Sequence, residues 1–301
     1  MEIPGLVDNG NYYTTVVPTN NSIFVNCSDG CIYEYTHDLT LKYRYEDVNA
    51  LCFQKEQISD ETYGVDKEGS VFQIDSRTNT LNYLFKPKNS IIEESGIDVK
   101  NNFIGVAYNE VLKMIDKRKG VVIYKIDEAH SDNIISVNFL DEETVVTGSQ
   151  DGLCCTLNFK NRNEGIIDTV NIERPISYVA ILSSHHYAIQ SDDNTFVLYN
   201  YNTKETEVQV DDFRLSFIQS TDLLVGSSML PVLEYNKKIL VGVSTSNGEV
   251  IYGGYEGTVT HKTVFQKHTS QVRDWCVFND RMYTVGEDLN VFSLFLKSSI
   301  D

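Results

Sequence analysis

The chain has 301 residues, 41% of them hydrophobic and 23% charged, which is enough apolar material for a sizeable core. Its 43 Asp and Glu against 25 Lys and Arg give a net charge of −18, and this charge argues against direct binding to nucleic acid phosphates. The first residues lack the basic start and apolar run of a signal peptide, and no apolar segment has membrane length. We therefore expect a protein of the cytoplasm or nucleus with no membrane partner.

The chain contains short apolar segments rich in β-branched and aromatic residues, separated by turn-forming residues, which is the pattern of antiparallel strands. The segments group into units of four strands, the last of which has only three. Residues 211–236 do not follow the pattern, and we expect an insertion there. Seven units in 301 residues give a repeat of about 43 residues. The predicted units span residues 12–45, 48–85, 95–126, 130–170, 176–210, 239–265 and 268–296.

The fourth and seventh units share a set of spaced polar residues. In each unit a histidine in the entry loop is followed by a threonine on the second strand and, four residues later, by an aspartate in the next turn. Hydrogen bonds among the three would satisfy polar groups that are costly to bury, so we predict a structural relay. The alternative is that they are ordinary surface polar residues, and neither interpretation is catalytic. The two sets are His130, Thr147, Asp151 and His268, Thr284, Asp288.

This spacing resembles that of WD-repeat β-propellers, in which a tryptophan on the third strand completes the relay. Leu157 and Leu294 occupy that position here. The resemblance implies an all-β fold, a seven-bladed WD-repeat β-propeller formed by one domain of residues 1–301. Because the seventh unit lacks a fourth strand, we expect the N-terminal segment Glu2–Val7 to close the last blade. The family resemblance also implies an intracellular scaffold with no enzymatic activity.

In this architecture the blade-entry loops and the turns between second and third strands share one rim, and on our map that rim is acidic. An acidic field attracts a basic partner and speeds the encounter. We therefore expect a monomeric scaffold that binds a basic protein segment, for example as an escort for a ribosomal protein or a histone. Acidic loops that only maintain solubility are the alternative. The predicted partner-binding residues are Glu46, Asp47, Glu93, Glu94, Asp127, Glu128, Asp132, Asp192, Asp193, Asp211, Asp212 and Arg273.

The sequence carries no motif of an established enzyme class. It has no Gly-rich phosphate loop, nucleophile elbow or HExxH motif, and its six cysteines lack zinc-ribbon spacing, so we expect no catalytic residue, cofactor or metal. A second hypothesis is a propeller enzyme, a hydrolase or lyase with its site in a central channel, since other propeller families include enzymes. It would require a cluster of carboxylates or histidines with a bound metal.

Overall fold

The computed structural model describes residues 10–56, 59–88, 91–161, 165–183, 185–218 and 221–296. These residues form 28 strands, one 3-10 helix (η1, Phe213–Ser216) and one short α-helix (α1, Thr221–Leu224). The strands are β1 Tyr13–Pro18, β2 Ile23–Cys27, β3 Ile32–Tyr35, β4 Leu41–Tyr45, β5 Ala50–Lys55, β6 Thr62–Asp66, β7 Val71–Asp75, β8 Thr80–Phe85, β9 Ile97–Lys100, β10 Phe103–Tyr108, β11 Val111–Asp116, β12 Val121–Ile126, β13 Ile134–Phe139, β14 Thr144–Ser149, β15 Leu153–Asn158, β16 Ile166–Asn171, β17 Ile176–Leu182, β18 His186–Ser191, β19 Phe196–Asn200, β20 Glu205–Val210, β21 Ser228–Met229, β22 Leu233–Tyr235, β23 Lys238–Ser244, β24 Glu249–Tyr255, β25 Val259–Gln266, β26 Val272–Phe278, β27 Arg281–Gly286 and β28 Val291–Phe295.

The described chain divides into two compact units. The first unit takes its residues from both ends of the chain, up to Asp47 and from Val210, and contains the sheets β1–β4, β21–β25 and β26–β28. The second unit takes its residues from the middle of the chain and contains the four-stranded sheets β5–β8, β9–β12, β13–β16 and β17–β20. Each sheet is antiparallel, and in all but β21–β25 every strand pairs with the next one along the chain.

The seven-bladed, all-β propeller predicted from the sequence is confirmed, because each predicted unit forms one of these seven sheets. The predicted closing strand of the last blade, Glu2–Val7, lies outside the described residues. Within the described part, the last sheet consists of β26, β27 and β28. No helix in the described residues has the length and apolarity needed to cross a membrane.

Burial follows the order of strands within a blade. The second strands β2, β6 and β14 are buried at every residue, as expected of apolar segments covered on both faces. The fourth strands β4, β12 and β20 are exposed at most or half of their residues. In these blades the core therefore lies along the inner strands, and the fourth strand borders solvent.

The insertion expected at 211–236 has a specific form. The helices η1 and α1 precede two short strands, β21 and β22, which both pair with β23. Ser228 pairs with Ser244 and Leu233 with Leu240, so one extra residue separates the two pairings, as in a β-bulge. Pro231 lies at this break and has no N–H to donate to the ladder. β21 and β22 are thus one first strand interrupted at the proline, and η1 and α1 belong to the long entry loop.

Trp275, the single tryptophan of the chain, fills the space beside this break. It is 1% exposed, and its indole Nε1–H donates to the carbonyl of Pro231 at 2.6 Å. The bond satisfies a carbonyl that the interrupted strand leaves outside the ladder, so the tryptophan is a core residue.

Candidate interaction site

The relay residues of the fourth blade lie together in the second unit. His130 Nε2 lies 2.7 Å from the Thr147 hydroxyl, and His130 Nδ1 lies 3.2 Å from the Asp151 carboxylate. Asp151 also accepts the backbone N–H groups of Ser131 and Leu153, each at 2.9 Å. The aspartate thus holds both the entry loop and its own turn. Burial lowers the pKa of His130 in spite of the neighbouring Asp151 carboxylate, which acts in the opposite direction.

The seventh blade, in the first unit, repeats this arrangement. His268 lies 2.8 Å from Thr284 through Nε2 and 2.8 Å from Asp288 through Nδ1. The Phe292 ring packs edge-on against the histidine, with centroids 4.7 Å apart. Burial by itself would raise the pKa of Asp288, but hydrogen bonds from His268 and the Thr269 N–H lower it overall. Leu157 is fully buried and Leu294 partly buried, so apolar side chains occupy the position that tryptophan has in WD-repeat blades.

Two further aspartates, which the sequence analysis did not select, bridge neighbouring blades. Asp98 on β9 accepts the N–H of Phe139 on β13 at 2.7 Å. Asp274 on β26 accepts the N–H of Val16 on β1 at 2.8 Å. Both residues retain a partly exposed surface, but burial of the carboxylate raises the pKa of Asp98 to about 6 and that of Asp274 to about 7. The sequence placed both aspartates on predicted first strands. It did not show that they accept hydrogen bonds, because the donors belong to the adjacent blade.

A cavity of about 280 Å³ opens in the second unit and is the candidate binding site. Among the described residues, its lining combines three carboxylate residues with apolar and uncharged polar groups and contains no cationic residue. We refer to it as the acidic pocket. Its walls come from four different sheets and their loops, which is why no single sequence segment indicated it. The lining residues are Leu51, Glu93, Glu94, Ser95, Ile135, Gln150, Ser177 and Asp192.

Glu94 lies in an unfavourable electrostatic environment within the acidic pocket. Burial raises its pKa, and the negative charges of Asp192, Asp132 and Glu93 raise it further. Its Oε2 atom is buried and accepts no hydrogen bond from any described residue. A buried carboxylate oxygen in this state is costly, so a cationic donor that entered the pocket would relieve both the missing hydrogen bond and the repulsion.

Four of the predicted partner-binding acids lie at or beside the acidic pocket: Glu93, Glu94 and Asp192 line it, and Asp132 is close enough to act on Glu94. Asp193 follows Asp192 but forms an ion pair with Arg174 at 3.0 Å and accepts the Thr195 hydroxyl at 2.9 Å. It therefore has a role in its own turn. Asp127 and Glu128 are exposed, and Asp127 pairs with Lys125 at 2.5 Å.

The remaining predicted binding residues belong to the first unit. Asp212 caps η1 by accepting the Arg214 N–H and forms an ion pair with the Arg214 guanidinium at 2.9 Å. Arg273 pairs with the Glu287 carboxylate. Side-chain partners thus already engage Asp212 and Arg273 within the chain. Glu46, Asp47 and Asp211 are exposed, and Glu46 lies 3.8 Å from Arg44.

The adjacent histidines His185 and His186 are a residue pair with potential metal chemistry, but each contacts another side chain. His186 Nε2 lies 2.9 Å from Glu207, whereas His185 Nδ1 lies 3.2 Å from the Tyr201 hydroxyl. Over the residues that the structure describes, no group of three or more His, Cys, Asp and Glu side chains is arranged to hold a metal ion.

No protein-family model matches the chain. No curated protein sequence matches it either. Solved structures do resemble it. A chain in the crystal structure of the Mitotic Checkpoint Complex superimposes with a TM-score of 0.75 at 13% identity, covering 97% of this chain and 89% of that chain. The computationally designed Ika8 protein gives a TM-score of 0.71 at 13% identity, covering 95% of this chain and 97% of the design.

At such low identity these likenesses concern the fold alone. They extend over nearly the whole chain, and they agree with the seven antiparallel sheets. Together with the blade architecture, they support a seven-bladed β-propeller fold.

Proposed function

We propose that this protein is a non-enzymatic interaction scaffold that binds a basic protein segment at the acidic pocket. The observation that carries the proposal is the Glu94 carboxylate, whose buried Oε2 accepts no hydrogen bond from the described residues and lies near the like charges of Asp192, Asp132 and Glu93. A lysine or arginine side chain supplies both a donor and a compensating charge.

The dimensions of the pocket favour one inserted side chain over a folded ligand. Its volume of about 280 Å³ lies at the lower end of the range for small-molecule sites. Leu51 and Ile135 provide an apolar wall for the methylene stem of a lysine or arginine, while the carboxylates bind its charged end. Gln150 and Ser177 offer further hydrogen-bonding groups at the edge. A basic segment would thus anchor one residue in the pocket and interact with exposed acids outside it.

The chemistry of the partner follows from the charge of the whole chain. A net charge of −18 accelerates encounter with cationic proteins and repels nucleic acid. Ribosomal proteins and histones are abundant cationic proteins, and we favour an escort role for one of them. This role places the protein in the cytoplasm, the nucleus or both, and it requires neither cofactor nor membrane.

A specific likeness within the WD-repeat proteins is part of the proposal. The segments DDFRLSF (211–217) and HTSQVRDWCVFNDRMYTVGEDLNVFSLF (268–295) resemble WD repeat-containing protein 89. Their order along the chain motivates this likeness, although their His and Asp positions occur in many WD blades. A binding partner shared with that protein would support it.

Binding of a synthetic lysine- and arginine-rich peptide, measured by fluorescence anisotropy at low and high salt, tests the function. We expect Glu94→Gln combined with Asp192→Asn to weaken binding at least about tenfold. The matched control, Glu205→Gln with Glu256→Gln, removes the same charge from exposed sites away from the pocket lining. Equal losses in both variants, or binding that does not depend on salt, would refute the pocket as the site.

Elemental analysis of the purified protein tests the propeller hydrolase or lyase considered from the sequence. A hydrolase or lyase of this kind would need a stoichiometric metal bound to a carboxylate or histidine cluster. A metal-bearing protein that retains its metal after dialysis would favour the enzyme over the scaffold.

A further inference from the structure

The fourth strand of the third blade, β12, is an exposed apolar sheet edge. In its sheet the strand order is β12-β11-β10-β9, so one side of β12 has no neighbouring strand among the described residues. Val121, Val122 and Ile123 are 46%, 39% and 38% exposed. An edge of this kind presents unpaired backbone N–H and C=O groups to another strand.

Two other fourth strands, β4 and β20, carry several charges that discourage such pairing. Lys42 and Arg44 lie within β4, and Glu205 and Glu207 lie within β20. A strand that paired with these edges would have to accommodate the charged side chains at close range. In β12 the only charged residue is Lys125, near the C-terminal end of the strand.

The two ends of β12 carry opposite charges. Arg118 and Lys119 lie in the turn before it, are exposed, and have no carboxylate within ion-pair distance in the described part of the chain. Asp127 and Glu128 follow it and are also exposed. The ion pair between Asp127 and Lys125 is formed by two half-exposed side chains, and such surface pairs contribute little stability.

This charge pattern is complementary to itself in an antiparallel arrangement. Lys119 lies four residues before Ile123 and Asp127 four residues after it, so a twofold axis at Ile123 places each opposite the other in two copies. The same axis places Arg118 opposite Glu128. If the axis falls between Ile123 and Tyr124, Lys119 faces Glu128, so the charge match does not depend on one register.

We propose that two copies of this chain associate through β12, edge to edge and antiparallel, with ion pairs at both ends of the paired strands. Such an interface is isologous, because the same strand contributes from each copy. The β11–β12 pairing contains a bulge at Ile123, and the paired edge is short. We therefore expect an interface below about 1,200 Å², the lower limit for standard-size interfaces, and a dimer that forms in a concentration-dependent equilibrium. The monomer expected from the sequence is then the species at low concentration.

Sedimentation velocity of the full chain over a concentration series at low salt provides the test. We expect Arg118→Glu with Lys119→Glu to raise the dimer dissociation constant at least about tenfold, because like charges then meet at both ends. Asp127→Lys with Glu128→Lys should have the same effect. The control Lys67→Glu with Lys88→Glu makes the same change in net charge at exposed residues elsewhere and should leave the constant unchanged.

An equimolar mixture of the two charge-reversed variants is the decisive measurement. The reversed turn of one variant then meets the reversed C-terminal end of the other, so a heterodimer should form with an affinity close to that of the unmodified chain. Val122→Lys, which places a charge in the middle of the edge, should prevent dimer formation, and its thermal unfolding confirms that the blade is intact. A chain that stays monomeric at every soluble concentration, or a mixture that does not restore association, overturns the proposal.

Discussion

The carboxylate of Asp274 accepts the backbone N–H of Val16 at 2.8 Å and so joins residues that are 258 positions apart in the chain. The bond links the first strand of the last blade to the first strand of the first blade, both within one compact unit. Asp98 forms the equivalent bond to Phe139 between the third and fourth blades. Side chains on first strands therefore supply acceptors for backbone groups of the adjacent sheet.

Removal of this acceptor should destabilise the protein. Asp274→Ala leaves the Val16 N–H without its partner, and we expect the free energy of unfolding to fall by about 1–3 kcal/mol. Asp274 also accepts the Trp275 N–H at 2.8 Å, and Asp274→Asn retains a carbonyl oxygen that can accept one of these two N–H groups, so it should cost less. Urea denaturation of both variants measures the difference. Equal stability of the alanine variant and the unmodified chain would show that the bond makes no net contribution.

Because of Asp98 and Asp274, we expect the free energy of unfolding to depend on pH. Burial raises the pKa of Asp98 to about 6 and of Asp274 to about 7 in the folded chain, whereas an unfolded aspartate titrates near 3.9. For an acid with a raised folded pKa, the stabilising contribution is complete below the unfolded pKa and is lost as pH rises through the folded pKa.

We therefore expect these groups to reduce the free energy of unfolding progressively from about pH 4 to about pH 7. Denaturation of the unmodified chain at several pH values, beside Asp98→Asn and Asp274→Asn, isolates this contribution. The substituted chains should show a flatter dependence over that range. An unchanged slope would mean that the two carboxyls titrate in the fold as they do in the unfolded chain.

The histidine relays can be tested at their aspartates. Asp288→Ala leaves His268 and the Thr269 N–H without an acceptor, and we expect a cost of about 1–3 kcal/mol. Because folding lowers the pKa of Asp288, its contribution is present above the unfolded pKa and is lost as pH falls through the folded value. Thermal unfolding near neutral pH detects the loss. Glu205→Ala, at an exposed carboxylate, is the control and should change the midpoint little.

Substitution of two glycines with similar φ angles can distinguish the cost of close packing from the cost of backbone strain. Gly248 has φ +81° and Gly257 φ +78°, so alanine is strained at both. A Cβ at Gly248 would lie 2.4 Å from the His268 carbonyl oxygen, whereas one at Gly257 would have nothing within 4 Å. We expect Gly257→Ala to cost about 1–2 kcal/mol and Gly248→Ala clearly more. Equal losses in calorimetry would mean that the entry loop of the last blade shifts without cost.

Local regularities in the sequence were sufficient to predict the blades. Turn residues and short apolar segments repeat at a regular interval, and the spacing of His268 and Asp288 agrees with a relay that the structure places within 2.8 Å. The interruption at Pro231 was less predictable. The sequence indicated an insertion at 211–236, but the division of one strand into β21 and β22 depends on their pairing with β23.

The predicted acidic rim shows which features of the charge distribution the sequence alone could not determine. Composition established the excess of negative charge, and the sequence placed Glu93, Glu94 and Asp192 in loops. It did not indicate the pocket that these three residues line together. Asp212 and Arg273, selected on the same grounds, are engaged by Arg214 and Glu287. A charged side chain in a loop contacts whichever group folding brings near it, and the sequence alone does not show which group that is.

The sequence by itself determined the strands, their turns and the relay positions, because these follow from the two-residue period of a strand and from turn chemistry within one blade. Tertiary structure alone decided which carboxylates are buried, paired or exposed. Asp98, Asp274 and Glu94 owe their raised pKa values chiefly to desolvation, and Glu94 also to the like charges of Asp192, Asp132 and Glu93. Burial of this kind depends on several blades and has no local signature in the chain.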